Sequence, residues 1–389
     1  MFIGATSPGA EKRHQPPQAS ITGFNPITDH SSNRVNPRLH AIARRFTDGH
    51  AITEIAPLGK GLINATYRVA TESMAFVLQR INSHVFPKPE LLMSNLQQLG
   101  GHIRQQPPSD VHLQIPAIIL SNDRQTYFLD EDRQFWRALE LIHPAESREQ
   151  ISRESEAEQV GFALANFHRL CSNLPTEQLH DTLPGFHITP NYFRNYQTLI
   201  QLLPQLTDHP HSRYCREFID GFRDWIEVLE RAKQQGALAE RVIHGDPKLN
   251  NFLFEPNSDH IVSLIDLDTV KPGLVHYDIG DCLRSCCHIS DGNRFDLDCC
   301  KTIMTSYLQE AGHFFTEADY DYLYAAILLI PFELGLRFFS DYLVGNSYFK
   351  TSDPEQNLRR ALAQFQLCEN IASQRIRIEQ LIKSIRPVA

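Results

Sequence analysis

The segment spanning residues 242–268 constrains this chain more than any other part of the sequence. It starts with Val-Ile-His-Gly-Asp, continues through Pro-Lys-Leu-Asn-Asn into Phe-Leu-Phe, and returns after a polar turn as Ile261–Ile265, followed by Asp-Leu-Asp. Two short strands flanking a turn would bring Asp246, Asn251 and Asp266 to the same end of a hairpin. The segment therefore predicts a compact cluster of carboxylate and amide side chains.

Such a cluster has the composition that phosphoryl transfer requires. The reaction needs a carboxylate that accepts the proton of the substrate and hard oxygen ligands that hold Mg²⁺ on the phosphates. One Asp at the start, an Asn five residues later and an Asp after the next strand supply that set, and Lys248 can neutralise charge that develops on the transferred group. The structural alternative is that His-Gly-Asp forms an ordinary turn and that Asp-Leu-Asp is a solvated strand end.

The arrangement resembles the protein-kinase catalytic loop followed by the metal-binding Asp, with Gly245 in place of the usual Arg and Leu267 in place of the Phe. Its H-G-D form is similar to that of the aminoglycoside phosphotransferases and their relatives, including choline and homoserine kinases. This resemblance implies that Asp246 is the catalytic base and that Asn251 and Asp266 bind Mg²⁺.

A candidate phosphate-binding loop leads into a strand near the start of the chain. Gly59 and Gly61 would let backbone N–H groups approach phosphate oxygens without an intervening Cβ, and Asn64 and Thr66 belong to the same predicted nucleotide-binding loop. Taken alone, Gly-x-Gly is also common in plain hairpin turns. Its place upstream of a strand pair favours the nucleotide-binding interpretation.

Further segments resemble the N-acetylhexosamine 1-kinases, over a stretch from about Leu58 to Lys350. They are residues 61–64, 76–82, 85–87, 183–187, 246–251, 265–274, 277–281, 333–338, 341–342 and 348–350. The resemblance implies an ATP- and Mg²⁺-dependent kinase that phosphorylates the anomeric hydroxyl of an N-acetylhexosamine. By position, it also implies that Arg337 and Tyr348 hold the acetamido sugar.

Simple chemistry agrees with that assignment but leaves alternatives. An Arg fork and a Tyr hydroxyl suit an acetyl carbonyl and a sugar hydroxyl, yet Arg337 could equally pair with Glu333 one helical turn away, and Tyr348 could be a core residue. Asp281 and Arg284 could line the acceptor pocket or could form a structural ion pair.

The predicted nucleotide site departs from the kinase pattern on the third strand. Kinases place a basic residue there to bind the α- and β-phosphates and pair it with a helix Glu. The expected position is Gln79, with Arg80 beside it, and the nearest helix acid is Glu90. Because successive strand residues face opposite sides, either Gln79 serves as a neutral donor or a bulge lets Arg80 reach the cleft.

The predicted fold is α+β and two-lobed, of the protein-kinase-like class. Residues 37–141 are expected to form a nucleotide-binding lobe with a small antiparallel sheet and one main helix, and residues 142–389 a mostly helical catalytic and acceptor-binding lobe. Residues 1–36 are rich in Pro, Ser, Asn and Gly and predict a disordered tail. Glu140, at the junction, could meet the adenine or could be a solvated strand end.

Periodicity predicts the individual elements. The strands are a hairpin at 67–70 and 75–81, a second pair at 115–120 and 126–129, and a third apolar strand at 135–141. The helices are one from Pro89 to about Ile103 and others over 153–170, 214–232 and 354–385.

Composition limits the partners. The formal net charge of −9 provides no basic field for nucleic acid or anionic lipid, and Ala325–Phe332, the longest strongly apolar run, is too short to cross a bilayer. The N-terminus has no apolar signal-peptide core, so eight cysteines indicate reduced thiols and a cytoplasmic protein.

Three other functions stay open from the sequence. The first is a kinase of another small alcohol, such as a different sugar, an amino alcohol or an aminoglycoside. The second is a catalytically silent member that binds nucleotide or sugar, which Gln79 favours weakly. The third is a metal protein built on the clustered cysteines between Cys282 and Cys300, whose spacing suits zinc poorly.

Overall fold

The computed structural model describes residues 36–59, 61, 63–106, 113–203, 209–312 and 314–386. Apart from Asn36, the predicted tail lies outside the described residues, so its disorder stays a prediction. From Pro37 onward the chain forms one compact unit.

An antiparallel sheet of six strands forms the N-terminal part of the described chain, in the order β1-β2-β3-β6-β4 with β5 also paired to β6. Its strands are β1 (Ile52–Pro57), β2 (Ala65–Thr71), β3 (Ala75–Ile81), β4 (Ile118–Ile119), β5 (Phe128–Leu129) and β6 (Phe135–Glu140). The β2–β3 hairpin and the third apolar strand are confirmed. The predicted pairing of β4 with β5 is wrong, because β6 is long enough for both two-residue strands to pair along one edge.

Two helices cover opposite faces of this sheet. Helix α1 (Pro37–Ala43) and Phe46 pack with Phe76, Leu78 and Trp136 in a separate apolar cluster. Helix α2 (Pro89–Arg104), predicted from its Pro start and leucine spacing, buries its apolar side in the main core, which also contains Ile81 and Phe135. The alternation of β3 side chains between these two cores decides which residues face the cleft.

The C-terminal part is mostly helical. Its helices are α3 (Glu154–Cys171), α4 (Thr189–Leu202), α5 (Pro210–Gly221), α6 (Val228–Gln234), α7 (Val275–Cys286), α8 (Leu297–Ala311), α9 (Glu317–Asp321), α10 (Leu323–Leu343), α11 (Gln356–Ser373) and α12 (Arg375–Ile385). The predictions of single helices over 214–232 and 354–385 are wrong. Gly221 ends α5 before a 3₁₀ turn at 223–225, and a break at Gln374 separates α11 from α12.

The C-terminal part also contains short strands, some of which lie in the segment 242–268. They are β7 (Glu146–Ser147), β8 (Arg241–Ile243), β9 (Phe252–Phe254), β10 (Ile261–Leu264), β11 (Lys271–Gly273), β12 (His288–Ile289) and β13 (Arg294–Phe295). Strands β9 and β10 form the predicted antiparallel hairpin, and β8 pairs with β11. The Ile265 amide donates to the Asn251 carbonyl over 2.9 Å, which joins the start of β9 to the end of β10.

Helix α10 is the central helix of the helical part. It has 21 residues, and by length and composition it is apolar enough to cross a membrane. The apolar helix is therefore longer than the run Ala325–Phe332 predicted from the sequence. However, 89% of its most apolar stretch is buried within the protein, where it packs against α4, α7 and α11. Its apolar surface therefore belongs to the core.

Candidate active site

A buried carboxylate holds the loop that follows β8. The His244 and Gly245 amides donate to Asp278 Oδ2 and Oδ1 over 2.7 and 2.8 Å, and a His168 ring nitrogen lies 2.8 Å from Oδ2. Burial alone would raise the pKa of Asp278, but the hydrogen bonds from His168 and the backbone outweigh it, and the pKa is lowered. Asp278 therefore stays ionised and anchors the loop to α7.

Glycine is the residue type that fits this turn at position 245. Its φ is +86°, and a Cβ would lie 2.7 Å from the Thr269 carbonyl oxygen. The Thr269 hydroxyl donates to the His244 carbonyl over 2.9 Å, and His187 Nε2 lies 2.7 Å from the Gly245 carbonyl oxygen. These contacts fix the backbone immediately before Asp246.

The structure brings the predicted chemical groups together. Lys248 Nζ contacts Asp246 Oδ2 and lies 3.9 Å from Asp266 Oδ2. The side-chain amide of Asn251, the residue immediately before β9, donates to the Asp246 carbonyl oxygen over 2.7 Å. Asp266 follows β10 in the left-handed conformation, with φ of 68°. The hairpin thus collects all four side chains as expected, and their individual roles stay predictions.

The charges in this cluster suit a divalent cation bound together with phosphate. Although 42% of its side chain is exposed, desolvation in the cleft raises the pKa of Asp266 to about 6, with Lys248 opposing and the carboxylates of Asp268 and Asp246 adding to the rise. Mg²⁺ commonly takes one or two protein oxygens and completes its shell with phosphate and water, which fits Asn251 and Asp266.

The clustered cysteines are the alternative metal site that the sequence left open. Within the part of the chain that the structure describes, no group of three or more His, Cys, Asp or Glu side chains is arranged to hold a metal ion. Burial and neighbouring thiols raise the pKa values of Cys282 and Cys287, as expected of packed, protonated cysteines.

The candidate phosphate loop connects β1 to β2. Gly59 has φ of +71°, and the Leu58 amide closes the loop by donating to the Thr66 carbonyl over 2.9 Å. The Asn64 amide nitrogen donates to Asp268 Oδ2 over 2.8 Å, while its oxygen accepts the Asn82 amide over 3.0 Å. Asn64 therefore fastens the end of the loop, and the nucleotide contact expected of it stays a prediction.

Gly61, the second glycine of the loop, touches the C-terminal part. Its carbonyl accepts a 3.4 Å hydrogen bond from Lys350 Nζ. Lys350 follows Tyr348 in the segment after α10, so the loop lies close to the segment predicted to hold the acceptor.

The strand register decides between Gln79 and Arg80. Strand β3 pairs continuously with β2 and β6, without the bulge that Arg80 would need. Arg80 pairs with Trp136, whose side chain lies in the α1 cluster, so Arg80 faces away from the Asp268 side of the sheet. This register does not fit the predicted contact of Arg80 with nucleotide. Gln79 pairs with Arg137 and faces the Asp268 side.

Gln79 is not a free donor either. Its amide oxygen accepts Arg137 Nε and Nη2 over 3.0 and 2.7 Å, and its nitrogen donates to the Thr66 hydroxyl over 3.2 Å. Gln79 therefore holds Arg137 and is itself held by Thr66, and the nucleotide contacts expected of Gln79 and Thr66 stay predictions. Sequence reasoning missed Arg137, because only the register of β3 against β6 shows that it faces this side.

Glu140 ends β6 and is exposed. Its side-chain oxygen accepts the Ala117 amide over 3.2 Å, and its own amide donates to the Ala117 carbonyl over 2.8 Å. This geometry favours the strand-end alternative, and a role beside the adenine stays a prediction.

Arg337, predicted to hold the acceptor, lies among aromatic rings. Its guanidinium carbon is 5.0 Å from the ring centre of Phe186, 5.3 Å from Tyr192, 5.5 Å from Phe349 and 5.9 Å from Tyr348. Burial lowers the pKa of Arg337, but the surrounding Tyr and acidic groups outweigh it, so the side chain stays charged. Among the described residues, its guanidinium forms no hydrogen bond or ion pair.

The contacts of Glu333 and Tyr348 bear on the structural alternatives weighed for Arg337 and Tyr348. Glu333 accepts the Thr189 hydroxyl over 2.8 Å and lies 3.1 Å from His187 Nδ1. Tyr348 is 38% exposed, and its amide donates to Asp341 over 2.8 Å, so it belongs to a fixed surface segment.

Asp281 and Arg284 form the ion pair that was weighed for them. Arg284 Nε donates to Asp281 Oδ1 over 2.8 Å. Asp281 is 6% exposed, and its other carboxylate oxygen is buried with no hydrogen-bond partner among the described residues. The geometry supports a structural role for Arg284 and leaves one Asp281 oxygen for a ligand.

The fold and this site together define a two-lobed kinase-like phosphotransferase. Residues 54–298, more than half of the chain, match the phosphotransferase enzyme family that includes the aminoglycoside phosphotransferases (APH). The chain therefore belongs to that family, and the expectation of a phosphotransferase acting on a hydroxyl group is confirmed at this level.

Solved structures show the same fold at low sequence identity. A microcompartment-associated aminopropanol kinase is 16% identical, with TM-score 0.58, over 87% of this chain and 97% of its own. Spectinomycin phosphotransferase, solved with ADP and spectinomycin, is 12% identical, with TM-score 0.55 over 84% and 94%. Plasmodium vivax ethanolamine kinase is 14% identical, with TM-score 0.54 over 84% of each chain. These likenesses establish the fold alone.

The anchoring role of Asp278 is testable by Asp278→Asn, which removes the charge and places an amide where two backbone N–H groups donate. We expect the free energy of unfolding to fall by about 3 kcal/mol, because buried donors and His168 lose their partner. Since the folded pKa of Asp278 is lowered, this stabilisation is present above the ordinary Asp pKa of about 4 and is lost as the pH falls through the folded value.

Urea unfolding at pH 7 would measure the change, with Asp291→Asn at an exposed position as the matched control. Equal stability of Asp278→Asn and the control would contradict the anchoring role.

Proposed function

We propose that this protein is an ATP- and Mg²⁺-dependent kinase that phosphorylates the anomeric hydroxyl of an N-acetylhexosamine. The observation that carries the proposal is the convergence of Asp246, Lys248, Asn251 and Asp266 in one partly exposed cluster. That set is what hydroxyl phosphorylation needs. It lies beside the glycine loop, whose Asn64 donates a hydrogen bond to Asp268.

In the proposed reaction, Asp246 orients the acceptor hydroxyl and takes its proton as the hydroxyl oxygen bonds to the γ-phosphorus. The bond from that phosphorus to the bridging oxygen breaks, and ADP leaves with the electron pair. Lys248 stabilises the charge that spreads over the transferred phosphoryl oxygens. Mg²⁺, when held by Asn251 and Asp266, would neutralise phosphate charge.

The acceptor side supports an uncharged, hydroxyl-rich substrate. Arg337 presents N–H groups to a carbonyl oxygen such as that of an acetamido group, and the rings around it offer flat apolar surface to a sugar. The positive charges of Arg337 and Lys248 disfavour an ammonium group in the same space.

An amino alcohol is the second candidate acceptor, because one observation favours it. The unpartnered oxygen of Asp281 is a buried carboxylate position that an ammonium group would satisfy. The same oxygen could accept a sugar hydroxyl, so only substrate comparison separates the two acceptors.

The proposal predicts Mg²⁺-dependent ATP consumption with N-acetylglucosamine or N-acetylgalactosamine that exceeds consumption with ethanolamine or aminopropanol. Asp246→Ala should lower kcat by roughly 10²- to 10⁴-fold, the usual contribution of a positioned base. Asp291→Ala, an exposed aspartate outside the cluster, is the matched control. Turnover of amino alcohols alone would replace the acceptor, and full activity of Asp246→Ala would contradict the mechanism.

The acceptor site gives a separate prediction. Arg337→Gln should raise KM for the acetamido sugar by about tenfold or more, because it loses charged hydrogen bonds, while KM for ATP stays within twofold. Arg375→Gln is the matched control, since Arg375 also lies over two rings, Trp225 and Tyr324. An equal rise in both KM values, or none in that for the sugar, would argue against this acceptor site.

A further inference from the structure

The cation missing from the third strand has a counterpart on the neighbouring strand. Position 79, where kinases carry a basic residue, holds an uncharged Gln, and its partner across the β3–β6 ladder is Arg137. Paired residues of adjacent strands project to the same side of a sheet. The positive charge therefore lies on the neighbouring strand β6, on the same face of the sheet as Gln79.

The surroundings of Arg137 hold its guanidinium in one orientation. Gln79 Oε1 accepts its Nε and Nη2, and Asp268 Oδ1 accepts Nη2 from the other side. Gln79 is itself held by Thr66, and Asp268 by Asn64. The phosphate-loop end, β3 and the segment after β10 thus meet at this one side chain.

One nitrogen of Arg137 is left over. Its side chain is only 2% exposed, and Nη1 is buried with no hydrogen-bond partner among the described residues. An unpaired buried N–H group on a cation is costly, so a structural ion pair with Asp268 alone does not explain it. An anionic oxygen at Nη1 would complete the set.

The position of Nη1 indicates which anion would bind to it. Arg137 is close enough to Asp266 to act on that carboxylate electrostatically, and Asn64 at the end of the glycine loop shares Asp268 with it. Phosphates lying under the glycine loop and bound to a cation on Asp266 would pass this point. A guanidinium binds such oxygens well, because it is planar, permanently charged and rich in donors.

We propose that Arg137 binds the α- or β-phosphate oxygens of the nucleotide in place of the third-strand lysine, and that Gln79 is the residue that positions it. This assignment rests on the proposed function, since it takes ATP as the bound nucleotide. It also removes the reason for a catalytically silent interpretation, because the uncharged residue at position 79 is compensated across the strand pair.

The test compares binding of ATP and of adenosine, both with Mg²⁺, to the full chain by calorimetry. A phosphate contact is made by ATP and not by adenosine. Arg137→Gln should weaken ATP binding roughly 10- to 100-fold, the range for losing a charged hydrogen bond, and leave adenosine within twofold. Adding Gln79→Lys to Arg137→Gln returns a cation to the third strand and should restore most of the preference for ATP.

Two further variants keep the test decisive. If Arg137→Gln does not fold, Arg137→Lys keeps a charge opposite Asp268 but loses the fork, and its preference for ATP over adenosine should fall about threefold or more. Arg80→Gln, on the other face of the sheet, should leave that preference unchanged.

An unchanged preference in the Arg137 variants, or equal loss of ATP and adenosine, would overturn the assignment and leave the proposed function standing. A wild-type chain that binds adenosine but gains nothing from the phosphates of ATP would overturn both.

Discussion

The active-site geometry depends on one buried carboxylate, that of Asp278. It is completely enclosed, and it accepts two consecutive backbone amides, those of His244 and Gly245, besides contacting His168. A carboxylate in such a place is stable only with its partners, so the loop cannot shift without exposing an unpaired charge to the core. Asp246 follows directly from this fixed backbone, which sets where its side chain can reach.

Asp268 performs a similar task between the sheet and the helical part. One of its oxygens accepts a hydrogen bond from Arg137 on β6, and the other accepts one from Asn64 at the end of the glycine loop. The glycine loop and the strand that carries Arg137 are therefore connected through a single side chain, which lies two residues after the predicted metal ligand Asp266. Their relative placement is set by charge-assisted hydrogen bonds, which are both strong and directional.

The cluster around Asp246 could be predicted from the sequence because its geometry is local. Asp246, Asn251 and Asp266 lie within one strand–turn–strand unit, and spacing alone brings them together. Helix α2 and the β2–β3 hairpin could be predicted for the same reason, because each is formed by residues close together in the sequence. Arg137 and the ring cage of Arg337 could not be found this way, because they depend on strand register and on the packing of residues distant in sequence. Asp278 lay within a segment of family resemblance, but only its contacts reveal what it holds.

The central claim is that this cleft transfers the γ-phosphoryl of ATP to an anomeric sugar hydroxyl, and ³¹P NMR of the reaction with N-acetylglucosamine and Mg²⁺ tests it most directly. We expect a new phosphomonoester signal that is split by coupling to the sugar H1 and grows as ADP accumulates. Signals of ATP that persist unchanged, or the release of inorganic phosphate alone, would contradict it.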